Sequence, residues 1–159
     1  MHELSLLRRM NEYEPAAWPL IPDLGLYMDQ VVTYIERQLE SLYGAASKGI
    51  LTPSMINNYV KSGLIPRPLG KKYYREHLAL LMMIVSLKPV ASMDDILRLT
   101  APRKEKSIEQ LYGEFCSMQK SVFHHISIDP QASALQHAVT ATAYRLIAEA
   151  ALNETGSAE

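Results

Sequence analysis

Ser54, Asn57, Asn58 and Lys61 stand at i, i+3, i+4 and i+7 of the segment Pro53 to Ser62, among the apolar residues Met55, Ile56, Tyr59 and Val60. In a helix this spacing gathers the four polar side chains into one stripe and sets the apolar four on another face. Side-chain amides carry both donors and acceptors, and asparagine in a major groove can pair bidentately with adenine N6 and N7. Lys61 at the end of the stripe would meet a phosphate and add salt-dependent affinity. Adjacent asparagines weaken a helix this short. The plain alternative is a solvated helix face.

The loop that follows is basic and aromatic. Arg67, Lys71, Lys72 and Arg75 alternate with Pro66, Pro68, Gly70, Tyr73 and Tyr74. Such a loop can grip a nucleic-acid backbone as a wing, fixing register without reading sequence. Alternatively, the tyrosines belong to the core and the lysines are solvated. Tyr73 is expected to be at least half core.

Other chemistry finds little purchase. His124, His125 and His137 are the candidate metal cluster, but adjacent helical residues diverge by about 100° and no acid or cysteine stands at ligand spacing. Cys116, the single cysteine, lies on an apolar face with no base nearby, so a buried, inert thiol is expected. There is no phosphate-binding glycine loop, dinucleotide fingerprint or nucleophile elbow. No catalytic residue, metal or cofactor is implied, and the expectation is a protein that is not an enzyme.

These groups need elements to hold them. Residues 4–13 suit a short amphipathic helix or arm. Pro15, Pro19 and Pro22 make the next stretch extended, with Trp18 packing back as an anchor. Val31, Tyr34, Ile35, Leu39 and Leu42 mark a helix over about 23–42. Thr52 reads as an N-cap before Pro53, and Gly63 stops that helix. Residues 65–72 form a loop or short hairpin, and a helix over about 75–87 ends at Pro89. Ser92 and Asp95 suggest a capping box that opens a helix to Leu99. Pro102 and the run Arg103 to Lys106 mark a boundary. Two longer helices close the chain near 107–126, with Ile108, Leu111, Tyr112, Phe115, Met118, Val122 and Phe123 as its stripe, and near 130–152, apolar or small on nearly every face. Residues 156–159 read as a frayed tail. The division is an arm over 1–22, a domain over 23–102 and a C-terminal helical region over 103–159.

Charge is distributed unevenly along the 159 residues. Residues 48–104 hold ten basic and three acidic residues, a net +7, while the flanks 1–47 and 105–159 each carry a net −4. A basic middle between acidic flanks is an electrostatic footprint for a polyanion, or a solvated surface with uneven charge. No apolar run approaches a membrane span of about 18 residues or more, and Met1 to Arg9 lacks the apolar core of a signal peptide. One cysteine fits a reducing compartment. The expected location is cytoplasmic.

Taken together, Ile56 to Leu99 resembles the DNA-binding domain of MerR-family regulators. Tyr59 is followed by Gly63-Leu64 and Pro66, Lys71 and Tyr73 stand two apart, Leu78, Leu81 and Ile84 share a spacing, and Asp94-Asp95 precedes Ile96. A closer resemblance is to the bacterial family catalogued as domain of unknown function 1836, carried by residues 26–31 (Leu26-Tyr27-Met28-Asp29-Gln30-Val31), by 55–61 and by Lys71-Lys72-Tyr73. The resemblance implies an all-α fold: a MerR-like winged helix-turn-helix with a small wing hairpin or loop, plus a C-terminal helical pair. It also implies a regulatory role. Where MerR recognition helices usually carry arginine this chain has Asn57, and Gly70 replaces the wing's first tyrosine.

The function expected is therefore a transcriptional regulator that reads double-stranded DNA through helix 53–62 and grips phosphates with the wing 66–75. The DNA-binding residues expected are Ser54, Asn57, Asn58, Lys61, Arg67, Lys71, Lys72, Tyr73 and Arg75. The C-terminal helices are expected to form a homodimer, with an unidentified small-molecule effector as a further possible partner. The alternative is a non-enzymatic protein-interaction module on the same fold that does not bind DNA. The replaced arginine and the acidic flanks favour that alternative.

Overall fold

The computed structural model describes residues 2–100 and 106–156. The boundary expected at 102/103, the run 103–105 and the tail beyond 156 lie outside the described residues. Seven α-helices follow in order: α1 (His2–Glu12), α2 (Met28–Tyr43), α3 (Pro53–Lys61), α4 (Arg75–Leu87), α5 (Met93–Thr100), α6 (Ile108–His125) and α7 (Ala134–Gly156). Single 3-10 turns occupy Trp18–Leu20 and Gly44–Ser47.

Helix α4 is the hub. Every side chain from His77 to Val85 is buried, so α4 has no solvent face. A helix apolar all round must be walled on all sides, and α2, α5 and α6 supply walls. From α2 come Val31, Ile35, Leu39 and Leu42, a three- and four-residue rhythm that puts one face into the core. Helix α6 contributes Tyr112, with Ile108, Leu111, Phe115 and Phe123 half-buried beside it. The outer end of the expected α6 stripe is corrected: Met118 and Val122 are exposed, 66% and 56%.

The start of α2 is also later than its periodicity suggests. Gly25 is in the left-handed region (φ +74°), and Leu26 is paired with Tyr73, so the chain stays extended through Tyr27. The helix begins at Met28, where the Gln30 side chain turns back to accept from the Tyr27 N–H at 2.9 Å.

Helix α3 is bounded as its residues demand. The Thr52 hydroxyl oxygen accepts from the Met55 N–H at 3.2 Å, and Pro53 occupies the first turn. At the other end Gly63 adopts φ +78°, its N–H donates to the Val60 carbonyl, and the Leu64 N–H reaches back to the Tyr59 carbonyl. This pair of bonds is a Schellman closure, and it drops Leu64 and Ile65 into the core. Of the capping box expected at α5 one half is present: the Ser92 hydroxyl accepts from the Asp95 N–H at 3.1 Å, but the Asp95 carboxylate accepts from that same hydroxyl at 2.6 Å and not from the Ser92 N–H.

The proline-rich stretch before α2 is anchored as expected. Trp18 is half-buried against the core, with its ring 6.3 Å from that of Tyr112. The Tyr112 hydroxyl donates to the Ala16 carbonyl at 2.7 Å. Burial, with Cys116 and the other tyrosines nearby, pushes the Tyr112 phenol well above its ordinary range, so it stays protonated and donates at any physiological pH. Tyr112→Phe removes that donor while preserving ring packing. The expected cost is about 0.5–1.5 kcal/mol in a urea titration, with faster amide exchange confined to residues 13–20.

Candidate nucleic-acid interface

The turn over 69–72 is smaller than a hairpin of strands. Among the described residues there is no strand, and only two isolated antiparallel bridges, Leu26 with Tyr73 and Leu69 with Lys72. The expected wing hairpin is thus corrected to a tight turn. Its cause lies in the sequence: Pro66 and Pro68 have no N–H, so the incoming arm cannot build a ladder. The outgoing arm enters α4 at Arg75 after only two residues. The turn itself is regular. Leu69 and Lys72 exchange both backbone hydrogen bonds at 3.0 Å, and Gly70 and Lys71 have φ of +55° and +65°. Positive φ at both central positions is the mark of a type I′ turn. Lys71 occupies a position that favours glycine, a strain of about 1–2 kcal/mol. Residues held this way cluster at functional sites.

Three contacts lock the turn to the body. Leu26 and Tyr73 exchange backbone bonds at 2.8 Å each way. Lys72 lies over the Tyr27 ring, 5.3 Å from its centroid. His77, buried in the first turn of α4, does the most. Its Nδ1 faces the Tyr74 N–H at 3.0 Å, and its Nε2 faces the Arg67 carbonyl at 3.3 Å. The backbone N–H can only donate, so Nδ1 accepts, and Nε2 carries the proton and donates to Arg67. The imidazole edge also packs at 82° on Tyr73, 5.5 Å between centroids. One neutral histidine therefore caps α4 and fixes both arms of the turn.

The turn and α3 together enclose an open cleft of about 520 Å³, lined by Asn57, Val60, Lys61, Arg67, Pro68, Lys71 and Tyr73. Among the described residues three cations and one amide converge there, and no acid lines it. Ser54 and Asn58 continue the exposed stripe of α3 beyond the cleft. Burial of Ile56 and Tyr59 turns that stripe outward, although Met55, expected on the apolar face, is 39% exposed. Tyr73 is 3% exposed and serves as the cleft floor; burial raises its phenol above the ordinary range.

Lys72 and Arg75 stand apart from this group. Lys72 is held by Tyr27. The Arg75 Nε donates to the Ile21 carbonyl at 3.0 Å, its guanidinium lies 5.8 Å from the Trp18 centroid, and its backbone N–H donates to the Asp23 carboxylate at 3.1 Å. Asp23 thereby puts negative charge at the N-terminus of α4, where the helix dipole favours it. Reasoning from sequence missed Asp23, Tyr27 and His77. The i, i+3 spacing of Tyr74 and His77 was the one local signal. The Asp23–Arg75 pairing joins residues far apart in the chain and leaves no local trace.

Elsewhere the chemistry is quiet. His124 faces the Asn11 carbonyl at 3.0 Å and His125 the Ser121 carbonyl at 2.7 Å. Among the described residues no three His, Cys, Asp or Glu side chains are grouped to hold a metal. Cys116 is half-buried; burial raises its thiol, partly offset by a hydrogen bond with Tyr112. Among the described residues no helix is long and apolar enough to cross a membrane.

Fold and cleft together define an all-helical chain with a short polar-striped helix and a basic turn locked beside it. The chain belongs to the family described as a domain of unknown function (DUF1836), whose sequence model matches residues 16–115. That span includes α2 to α5, the whole cleft and the first part of α6. No curated protein and no solved structure matches the chain.

His77→Ala removes the cap and the Arg67 tether together. The expected loss is about 1–3 kcal/mol of stability, accompanied by faster amide exchange at Tyr74. A stability unchanged within error would show that the turn does not depend on the imidazole.

Proposed function

We propose that this protein is a DNA-binding transcriptional regulator with a reduced MerR-like winged helix-turn-helix. In this reading α3 enters the major groove and the 69–72 turn serves as the wing. The observation that carries the reading is the convergence of Lys61, Arg67 and Lys71 with Asn57 in one open, acid-free cleft beside the outward stripe of α3. The net +7 of residues 48–104 does not by itself require that convergence. Asn57, Asn58 and Ser54 are the base readers, with asparagine suited to adenine. Lys61, Arg67 and Lys71 are the phosphate contacts. Lys72, Tyr73 and Arg75 act by holding the wing in place.

A regulator of this kind works as a symmetric pair, with two recognition helices on one pseudo-palindromic site. Helix α7 supports a homodimer. Leu135, Val139 and Leu146 are exposed by 74%, 61% and 58%, and at about 100° per residue they fall on one narrow arc of the helix, with the 63% exposed Ile147 further round. A contiguous apolar face on a helix that packs only lightly on α5 is a protein-contact surface. The second copy covers it. The alternative, a winged-helix interaction module that does not bind DNA, makes the same use of α7 and leaves the basic cleft idle.

Fluorescence anisotropy with a random-sequence duplex at two salt concentrations separates the two. Binding that falls steeply with salt is expected, and Lys61→Ala or Lys71→Ala should each lower the salt slope by about 1. No binding at low salt removes the DNA reading and leaves the interaction module. Sedimentation at micromolar concentration should give a dimer, and Leu146→Glu should shift it to monomer with an unchanged helical spectrum. A wild-type monomer would remove the dimer.

A further inference from the structure

Arg67 borders two clefts. One is the basic cleft above. The other, about 400 Å³, lies at the C-terminal end of α3, walled by Val60, Leu64, Ile65, Leu80, Leu97 and Ile108. Its polar groups are already paired. The N–H groups of Gly63 and Leu64 donate to the carbonyls of Val60 and Tyr59, and the buried Thr100 hydroxyl donates to the Ile96 carbonyl at 2.6 Å. Among the described residues no acid lines this cleft, and the Arg67 guanidinium makes no hydrogen bond or ion pair. An apolar wall of this size with a single polar group at its rim is the form of a small-molecule site, which typically measures about 300–1,000 Å³. The one polar feature is a planar cation, which selects a carboxylate over a neutral or basic head.

We propose that this second cleft binds a small amphipathic carboxylate, with the apolar chain against Val60, Leu64, Leu97 and Ile108 and the carboxylate on Arg67. The Arg67 carbonyl is fixed by His77, so its backbone stays in place while its side chain serves one cleft or the other. Ligand in the apolar cleft takes the guanidinium out of the basic cleft and lowers the grip on DNA. This regulatory step rests on the DNA-binding reading; the binding step does not.

Equilibrium dialysis of the full chain with octanoate tests the binding step without DNA. Saturable uptake is expected, with 1-octanol bound more weakly. Arg67→Gln should weaken octanoate by about tenfold or more while leaving 1-octanol unchanged. Leu97→Trp, which fills the cleft, should abolish both, with the helical spectrum retained. Absence of saturable uptake, or octanoate binding indifferent to Arg67→Gln, overturns the site. In the anisotropy titration, octanoate should weaken wild-type binding to duplex and leave Arg67→Gln unaffected. Octanoate that binds without changing DNA affinity overturns the regulatory step alone. A protein that takes up octanoate but binds no DNA overturns the DNA reading while the site stands.

Discussion

The burial of α4 on every side is the constraint that the other elements obey. With His77 to Val85 all inside, the helix cannot lie on a surface, and each neighbour becomes a wall of its sheath. Its N-terminus lies against other elements, although Glu76 in its first turn reaches solvent. The first-turn N–H groups need partners there, and they find Asp23 from the segment before α2 and the imidazole of His77. Those two bonds bring the ends of three segments together: the 21–27 stretch, the 67–74 turn and α4 itself. The position of the 69–72 turn follows from how α4 is capped.

This explains how so short a turn holds its shape. A two-residue turn closed by the single Leu69–Lys72 bridge has almost no ladder to stabilise it, and isolated hairpins are marginal in water. Here the stability is borrowed. Tyr73 is a core residue, its backbone pairs with Leu26, and the Arg67 carbonyl is tied to a side chain of the hub helix. The strain at Lys71 is tolerable because the surroundings over-determine the turn. A lysine at a left-handed position in a locked turn projects its flexible side chain from a fixed backbone point. That lowers the entropy lost when it meets an anion.

What could be read from sequence follows the range of the interactions. Thr52-Pro53 and Gly63 bound α3 through bonds that span no more than five residues, so they announce themselves, as does the Ser92 cap on the Asp95 N–H. The polar stripe was legible for the same reason, since Ile56 and Tyr59 are buried and turn it outward. The failures are long-range. Nothing near Asp23 shows that it caps a helix starting at Arg75, and the periodicity of α2 runs on backward into residues that pair with Tyr73 instead. The basic residues of the loop look alike in sequence, yet the fold divides them. Lys61, Arg67 and Lys71 face a cleft, whereas Lys72 and Arg75 lie over Tyr27 and Trp18. Only the three-dimensional partners of a cation decide whether it is available.

That division also bears on electrostatics. The middle of the chain carries a net +7, and two of its cations are engaged with aromatic rings that do not neutralise them. Their charge still contributes to the field around the cleft, so they raise the local potential without contacting a ligand. Glu14 and Lys120, by contrast, pair on the far side of the core, where the hydrogen bond and charge of Lys120 hold the Glu14 carboxyl below its ordinary range. Among the described residues that line the cleft there is no acid, although Asp23 of the acidic N-terminal flank caps α4 close to the turn. Lys61, Arg67 and Lys71 share that cleft with the Asn57 amide of α3.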